Sequence, residues 1–105
     1  MSQFDQVSVI KKANIYFDGK CISHTVVCAH DVRKTIGVIL PSTLTFNTGA
    51  PEVMEGVGGK CRVRLPGETE WKEFGEGELF KIPGNSAFDI EVAPGEAYHY
   101  VCHFG

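Results

Sequence analysis

Residues 44–92 read LTFNTGAPEVMEGVGGKCRVRLPGETEWKEFGEGELFKIPGNSAFDIEV, a segment in which Gly or Pro recurs every few residues. From Gly37 to the C-terminus there are sixteen Gly or Pro, and no run without one exceeds nine residues. A globular helix averages about 11–12 residues, whereas a strand needs about five or six. Eleven Val and seven Phe, against four Leu and six Ala, also favour sheet over helix. The sequence therefore predicts an all-β protein and excludes a helical bundle, a coiled coil and a parallel sheet with helical crossovers.

Turn residues divide the chain into about ten short strands, a number and spacing typical of a sandwich, a jelly roll or a small barrel. One of these turns is predicted at Gly58-Gly59. The predicted strands are Asn14–Phe17, Ile22–Ala29, Thr35–Leu40, Thr43–Asn47, Val53–Val57, Lys60–Leu65, Glu70–Phe74, Leu79–Ile82, Ser86–Val92 and Ala97–Phe104.

Period-two alternation predicts which side chains point inward. On the last strand it leaves two faces open, and the face that contains Tyr98 is favoured over the one that contains His99. On the strand from Lys60 to Leu65, both arginines face outward or toward a rim. The predicted inward rows are Leu44, Phe46 and Thr48; Cys61, Val63 and Leu65; Ser86, Phe88, Ile90 and Val92; and Tyr98, Tyr100, Cys102 and Phe104.

The length of 105 residues predicts one domain. Residues 1–13 carry no clear period, so they are expected to form an N-terminal arm, an extra edge strand or one short turn. Residues 14–105 are expected to form the β-barrel. No repeat, linker or low-complexity tract suggests a further boundary.

The net charge of −3 and the sequence pI near 5.7 argue against nucleic acid and anionic membranes as partners, because both attract clusters of basic residues. Neither a signal peptide nor an apolar stretch of about 20 residues is recognisable. The expected location is therefore the cytoplasm. In that reducing compartment the four cysteines are expected to be free thiols, mostly buried in the core.

Two motifs superficially resemble functional sites, one a phosphate-binding loop and the other a metal site. Gly56–Lys60 resembles a phosphate-binding loop, but the required earlier glycine is replaced by Met54 and no helix is predicted to follow. A hairpin turn explains this motif better. Cys21, His24 and Cys28 could contribute to a soft-metal site, yet alternation places Cys21 and His24 on opposite faces of a strand. Core thiols and a surface histidine are the favoured interpretation.

The strongest signal is a pair of spacings that follow the two motifs of the cupin barrels. Gly77, Pro83 and Phe88 have the spacing of the second motif, and Glu52 and Gly59 that of the end of the first. Three or four donors are needed to hold a divalent ion, and only Glu52 remains here. No metal and no other cofactor is therefore expected. The positions that hold histidines in these motifs are occupied by Phe46, Thr48 and Phe88.

Read with its flanks, the same region resembles the small pyrimidine/purine nucleoside phosphorylases of the cupin superfamily. The resemblance implies a single cupin-type jelly-roll β-barrel, usually dimeric. It also implies an enzyme that cleaves many purine and pyrimidine nucleosides with inorganic phosphate, giving ribose 1-phosphate and a free base. Two departures are Pro41-Ser42-Thr43, where the family has Gly, and His103, where a basic residue often follows the last Cys. The segments that carry the resemblance are NIYFDGK (14–20), TIGVILP (35–41), 44–67, 70–92 and AYHYVCHF (97–104).

Phosphorolysis passes through an oxocarbenium-like state, and the chain offers residues for each task that this reaction sets. The predicted catalytic residues are Glu52, which would stabilise positive charge and bind ribose hydroxyls, and Thr48 and Ser86, which would supply hydroxyl donors. Predicted substrate contacts are Phe46, Met54, Phe88 and Tyr98 for the nucleoside, and Lys20, Arg64 or the amides at Gly84-Asn85 for phosphate.

A second interpretation stays open for every one of these residues. Phe46, Met54 and Phe88 would fill the barrel, Glu52 would cap a turn, and Ser86 would satisfy backbone groups. Because no acid and base pair is recognisable, the alternative function is a non-catalytic cupin that binds a small metabolite or a protein partner.

Overall fold

The computed structural model describes residues 3–104; Met1 and Ser2 of the predicted N-terminal segment and Gly105 of the predicted barrel lie outside the described residues. Two short 3₁₀ turns are the only helical elements in this part of the chain, and no helix there could cross a membrane. The ten strands are β1 (Ser8–Val9), β2 (Asn14–Tyr16), β3 (Cys21–Val27), β4 (Arg33–Ile39), β5 (Ser42–Asn47), β6 (Glu52–Arg64), β7 (Lys72–Gly75), β8 (Leu79–Ile82), β9 (Ala87–Val92) and β10 (Tyr98–Phe104).

All pairings are antiparallel, and the strands form one curled sheet in the order β1-β3-β4-β10-β6-β9-β5. β2 lies beside β3, and β1 extends the same edge through the pairs Ser8 with Val27 and Val9 with Val26. β6 is the central strand. Its first half pairs with β8 and β10, and its second half pairs with β7 and β9. The prediction of an all-β protein is confirmed.

Curling brings the two edges of the sheet together. Phe17 directly follows β2 at one edge, and Phe46 lies on β5 at the other. The two rings pack in a T-shaped arrangement with centroids 5.1 Å apart. Phe17 has a φ of +53°, a conformation that is unusual for a bulky residue. This aromatic contact closes the seam of the half-barrel.

The hairpin turn predicted at Gly58-Gly59 is wrong, because β6 continues through both residues as one strand. Gly59 instead takes a φ of +70° beside a register shift between His99 and Tyr100 of β10. A Cβ on Gly59 would lie only 1.7 Å from the carbonyl oxygen of Ala97. Gly58 pairs with His99 and Gly56 with Tyr100, so the extra residue of this β-bulge is Val57, and glycines flank it on both sides.

The core fills the space between the two halves of the sheet, and the inward rows predicted by alternation supply it. On β10 the favoured face is confirmed for Tyr98, Tyr100 and Cys102, all buried, whereas Phe104 lies at the end of the strand and is 47% exposed. The buried cluster consists of Cys21, Ile39, Leu44, Met54, Cys61, Val63, Phe80, Ile82, Phe88, Ile90, Val92, Tyr98, Tyr100 and Cys102.

Candidate functional site

The inner face of the half-barrel is accessible at one end, which we call the Glu52 end. The paired residues Glu52 and Phe104 mark it, and Thr35 lies one row further in, opposite Cys102. Glu52 and Thr35 are half-buried. The inner-face side chains at the opposite end, in contrast, are sealed from solvent: Cys21, Ile39 and Tyr98 are at most 1% exposed.

Glu52 is the one carboxylate on the inner face of the described strands. Burial raises the pKa of this carboxyl above its ordinary value, and the neighbouring Cys102 thiol offsets part of the rise. Burial likewise raises the pKa of Cys102, and the charge of Glu52 adds to that effect. The Thr35 hydroxyl lies on the other side of this thiol. A polar chain of Thr35, Cys102 and Glu52 therefore crosses the inner wall.

An aromatic wall belongs to the other half of the sheet. Phe46 and Phe88 are register partners on β5 and β9, and their rings stack with centroids 5.6 Å apart. Phe88 is 4% exposed and contacts Phe80, so it lies in the core, whereas Phe46 is only half-buried. Met54 is 4% exposed and pairs with Phe80 on β8. Of this set, Phe46 offers the accessible surface.

Thr48 ties the aromatic wall to the Glu52 end. Its hydroxyl donates to the carbonyl oxygen of Pro83 at 2.8 Å and accepts from the Ser86 amide at 3.0 Å. Pro83 follows Ile82, the register partner of Glu52. Phe46 lies two residues before Thr48 along the chain, so the aromatic wall is connected to the Glu52 end through Thr48, while the Phe46 ring itself contacts Phe17, which follows the partner of Cys21.

The Thr48 hydroxyl is already hydrogen-bonded to two backbone groups, the Pro83 carbonyl oxygen and the Ser86 amide. Ser86 differs, because its backbone is held by Thr48 while its half-buried side-chain hydroxyl bonds to no other described residue. Thr48 thus fixes the segment that presents Ser86, and the Ser86 hydroxyl is the one that a substrate could reach.

Tyr98 lies outside this group. The residue is fully buried at the closed end, and its hydroxyl sits beside the Cys61 thiol without a well-formed hydrogen bond. From Tyr98 to Phe104 is six residues along β10, or about 20 Å in a strand. The structure therefore does not bring Tyr98 together with Glu52.

The predicted phosphate contacts are not brought together at this end either. Lys20 is exposed and precedes Cys21 at the closed end. The Asn85 amide is already bonded to the Gly49 carbonyl oxygen at 3.0 Å. Lys20 is therefore distant from Glu52, whereas Asn85 directly precedes Ser86 but its amide is already used in that backbone hydrogen bond.

Arg64 is a clear correction. Its side chain lies on the outer face, where it forms an ion pair of 2.7 Å with Asp89 and packs 4.9 Å from the ring of Trp71. Arg62 repeats the arrangement with Glu91. These arginines brace the outer surface, because alternation turns them away from the interior that Cys61, Val63 and Leu65 fill.

Sequence reasoning missed a row of hydroxyl-bearing residues on the inner face. The side-chain amide of Asn14 donates hydrogen bonds to the hydroxyl oxygens of Ser23 and Thr25 on β3, with Nδ2 3.3 and 3.4 Å away. The Tyr100 hydroxyl lies beside Ser23 and 3.4 Å from the Cys21 sulfur. Alternation could have indicated this row. Cys21 is expected in the core, and Ser23 and Thr25 lie on the same face of the strand as Cys21.

Metal-binding side chains are not grouped in residues 3–104, where no set of three or more His, Cys, Asp or Glu is placed to hold an ion. Cys21 points into the core, while the His24 ring lies outside, with its Nδ1 3.1 Å from the carbonyl oxygen of Ile10. The structure thus places Cys21 and His24 on opposite faces of β3, as alternation predicts.

A surface recess of about 400 Å³ lies at the other end of the molecule. Pro41, Ser42, Glu91, Val92 and Pro94 contribute to its lining. It contains no aromatic or basic side chain, and its one carboxylate is bound to Arg62. Its chemistry suits neither a nucleobase nor a phosphate, so the Glu52 end is the better candidate.

Sequence comparison matches this chain to one protein family. A family model described as pyrimidine/purine nucleoside phosphorylase matches residues 11–104. A curated relative of that name from Dechloromonas aromatica (strain RCB) is 70% identical over 105 residues, with 100% of both chains covered. The counterpart from Thiobacillus denitrificans is 67% identical, also with full coverage.

Solved structures show the same fold. A protein of unknown function from Acinetobacter sp. ADP1 superposes with a TM-score of 0.94 at 51% identity, covering 98% of each chain. A cupin-like protein from Thermotoga maritima has a TM-score of 0.66 at 14% identity, covering 80% of this chain and 67% of that one. The predicted cupin-type fold is confirmed.

Proposed function

Because the chain belongs to the pyrimidine/purine nucleoside phosphorylase family, we propose that it cleaves both classes of nucleoside with inorganic phosphate and without a metal ion. The products are ribose 1-phosphate and the free base. The observation that carries the proposal is the inner face of the half-barrel, where a half-buried carboxylate, Glu52, and a half-buried aromatic ring, Phe46, are connected through Thr48 and Pro83. The proposal includes the expected cytoplasmic location.

Glu52 is the central group of the proposed mechanism. As phosphate oxygen approaches C1′, the N-glycosidic bond breaks, its electron pair leaves with the base, and the sugar ring develops positive charge. A carboxylate positioned at the ring stabilises that charge and accepts hydrogen bonds from the ribose hydroxyls. The phosphate oxygen forms the new bond to C1′, and the proton that the phosphate carries passes, directly or through a water molecule, to the departing base. The half-buried position of Glu52 reduces its contact with water, which strengthens its interaction with a cationic sugar.

The nucleobase is proposed to stack on Phe46. The ring is backed by Phe88 and met at its edge by Phe17, so its position is fixed before substrate arrives. Every base has a π-face, and stacking therefore accepts purines and pyrimidines alike. In this account Phe88 and Met54 support the wall from the core, and a broad substrate range follows from the absence of a base-specific polar pocket in the proposed contact.

Ser86 and Thr48 complete the proposed site. The Ser86 hydroxyl donates a hydrogen bond to the sugar or the phosphate, and Thr48 positions it through the two bonds to its backbone and to Pro83. Thr48 is thus a positioning residue. Tyr98, Lys20 and Arg64 have no part in this site.

The test is incubation with uridine or inosine, with and without inorganic phosphate, in the presence of a chelator. We expect free base and ribose 1-phosphate in equal amounts, only when phosphate is present and at a rate the chelator does not change. No base above the blank would overturn the proposal and favour the non-catalytic cupin. Base release without phosphate would identify a hydrolase, and activity lost with the chelator would overturn metal independence alone.

A homodimer is the proposed assembly. Among the described residues β2 pairs only with β3, so one edge of it is open, and Ile15 and Tyr16 on this strand are 65% and 49% exposed. An open apolar edge is a surface that proteins usually cover. Light scattering at micromolar concentration should give twice the monomer mass, and Ile15→Lys should give the monomer. A monomeric mass for the wild-type protein would contradict the proposal.

A further inference from the structure

The proposed reaction needs a cation for its dianionic co-substrate, and the residues first expected to supply it lie elsewhere. We infer that Arg33 binds the phosphate, an inference that rests on the proposed function. Arg33 begins β4 and is exposed. Its place in the sheet, the face it shares and its lack of a partner each support the assignment.

The face of Arg33 follows from its own strand. Alternation places Arg33 with Thr35, Gly37 and Ile39. Ile39 is 1% exposed in the core, and a Cβ on Gly37 would lie 2.9 Å from the Tyr100 hydroxyl. This face of β4 therefore turns toward the interior, and Arg33 is its outermost member.

The register places Arg33 in the same row as the proposed catalytic carboxylate. His103 pairs with Lys34, so the next residue of β10, Phe104, stands opposite Arg33. Phe104 also pairs with Glu52 on its other side. One strand thus separates Arg33 from Glu52, a backbone distance of about 9.5 Å. Phe104 of β10 stands between the two in this row, so Arg33 and Glu52 do not pair with each other directly.

The other basic side chains are placed or occupied differently. Of those in the described strands, alternation puts only Arg33 and Lys72 on the inner face, and Lys72 is bound to Glu68 at 3.1 Å. Lys34 lies outside, with its Nζ 2.6 Å from His103 Nδ1. Arg33 forms no ion pair with any residue in 3–104. A guanidinium with unused donors is well suited to bind phosphate through two parallel hydrogen bonds.

The test compares Arg33→Gln, Arg33→Lys and Lys81→Gln in phosphorolysis. Lys81 is a matched control, because it lies at the same end on the outer face and its replacement removes the same charge. For Arg33→Gln we expect the KM for phosphate to rise about tenfold or more, while the KM for nucleoside changes less than about twofold. The KM for phosphate of Arg33→Lys should lie between those of the wild type and Arg33→Gln, because lysine keeps the positive charge but cannot form the two parallel hydrogen bonds of a guanidinium. Lys81→Gln should match the wild type.

Stabilisation by phosphate provides a second readout that does not need turnover. Inorganic phosphate should raise the unfolding temperature of the wild type and of Lys81→Gln, and leave that of Arg33→Gln unchanged. An active wild type whose phosphate KM and phosphate stabilisation both survive in Arg33→Gln overturns the inference alone. A wild type that releases no base overturns the proposed function, and the Arg33 assignment falls with it.

Discussion

The Phe17 and Phe46 rings form a T-shaped contact with an interplanar angle of 81°, and this contact joins the turn after β2 to β5 at the opposite edge of the same sheet. Phe17 holds it from a left-handed backbone conformation, which costs an L-residue roughly 1–2 kcal/mol. A strained residue beside the proposed base site suggests that the structure tolerates the strain for the sake of the contact.

Two substitutions of Phe17 should separate the stabilising effect of its contact with Phe46 from the destabilising effect of its left-handed backbone conformation. Phe17→Ala loses the aromatic pair and keeps the left-handed cost, whereas Phe17→Gly loses both. The relief of roughly 1–2 kcal/mol exceeds the roughly 0.4–1 kcal/mol of added chain entropy in the unfolded state. Phe17→Gly should therefore be the more stable variant by about 0.5–1 kcal/mol in urea unfolding. A less stable glycine variant would show that Phe17 is not strained. Both should raise the KM for nucleoside.

Gly59 and Gly77 share a positive φ but differ in their surroundings. A Cβ on Gly59 would lie 1.7 Å from the Ala97 carbonyl oxygen, whereas nothing lies within 4 Å of one on Gly77. Gly77→Ala should cost only the conformational penalty of about 1 kcal/mol. Gly59→Ala should cost more than about 3 kcal/mol, because the backbone of β6 or β10 must move. Equal shifts of the denaturation midpoint would rule out the close approach of Gly59 to Ala97 described here.

The conformation at Gly58-Gly59 could not be predicted from the sequence alone. The strands and their inward rows could be predicted, because turn residues and alternation are local properties. A Gly-Gly pair, however, is compatible with a hairpin or with a continuous strand, and only the pairing of β6 with β10 and the close approach of Ala97 decide between them. Arg64 shows the same limit for the site. Alternation predicts that the Arg64 side chain faces outward or toward a rim. Its partners Asp89 and Trp71 lie in other segments of the chain, so the ion pair could not be predicted from local sequence.

Asp89 should make stability depend on acid pH. Hydrogen bonds from Thr45, at 2.6 Å, and from Arg64 hold the pKa of its carboxyl below the ordinary value of 3.8. Its stabilising effect is thus complete well above pH 3.8 and is lost as the pH falls through the lowered pKa. Asp89→Asn should lose about 1 kcal/mol or less at pH 7, a modest effect because the Arg64 pair is partly exposed.

The measurement is the unfolding free energy of wild type and Asp89→Asn between pH 2 and 7. The gap between them should close at the acid end. Glu76 is an exposed carboxylate that bonds to no other residue in 3–104, so Glu76→Gln serves as the control and should match the wild type at every pH. A gap that stays constant with pH would contradict the assignment to ionised Asp89.

Glu52 should behave in the opposite way. Because burial raises its pKa above 4.5, its ionisation opposes folding, and stability is lost as the pH rises from 4.5 through the raised pKa. Glu52→Gln should therefore unfold at the same temperature as the wild type or higher at pH 7. A residue that only capped a turn would instead destabilise the fold when replaced, so a clear drop in unfolding temperature would favour that structural role.

The proposed role of Glu52 in phosphorolysis is tested most directly by kcat/KM for Glu52→Gln beside Glu55→Gln. Both change a carboxylate to an amide on β6, but Glu55 lies on the outer face, bound to His103 at 2.8 Å. We predict a loss of about 100-fold or more for Glu52→Gln, with the fold intact, and a change of less than about twofold for Glu55→Gln. An unchanged kcat/KM in Glu52→Gln would contradict the account.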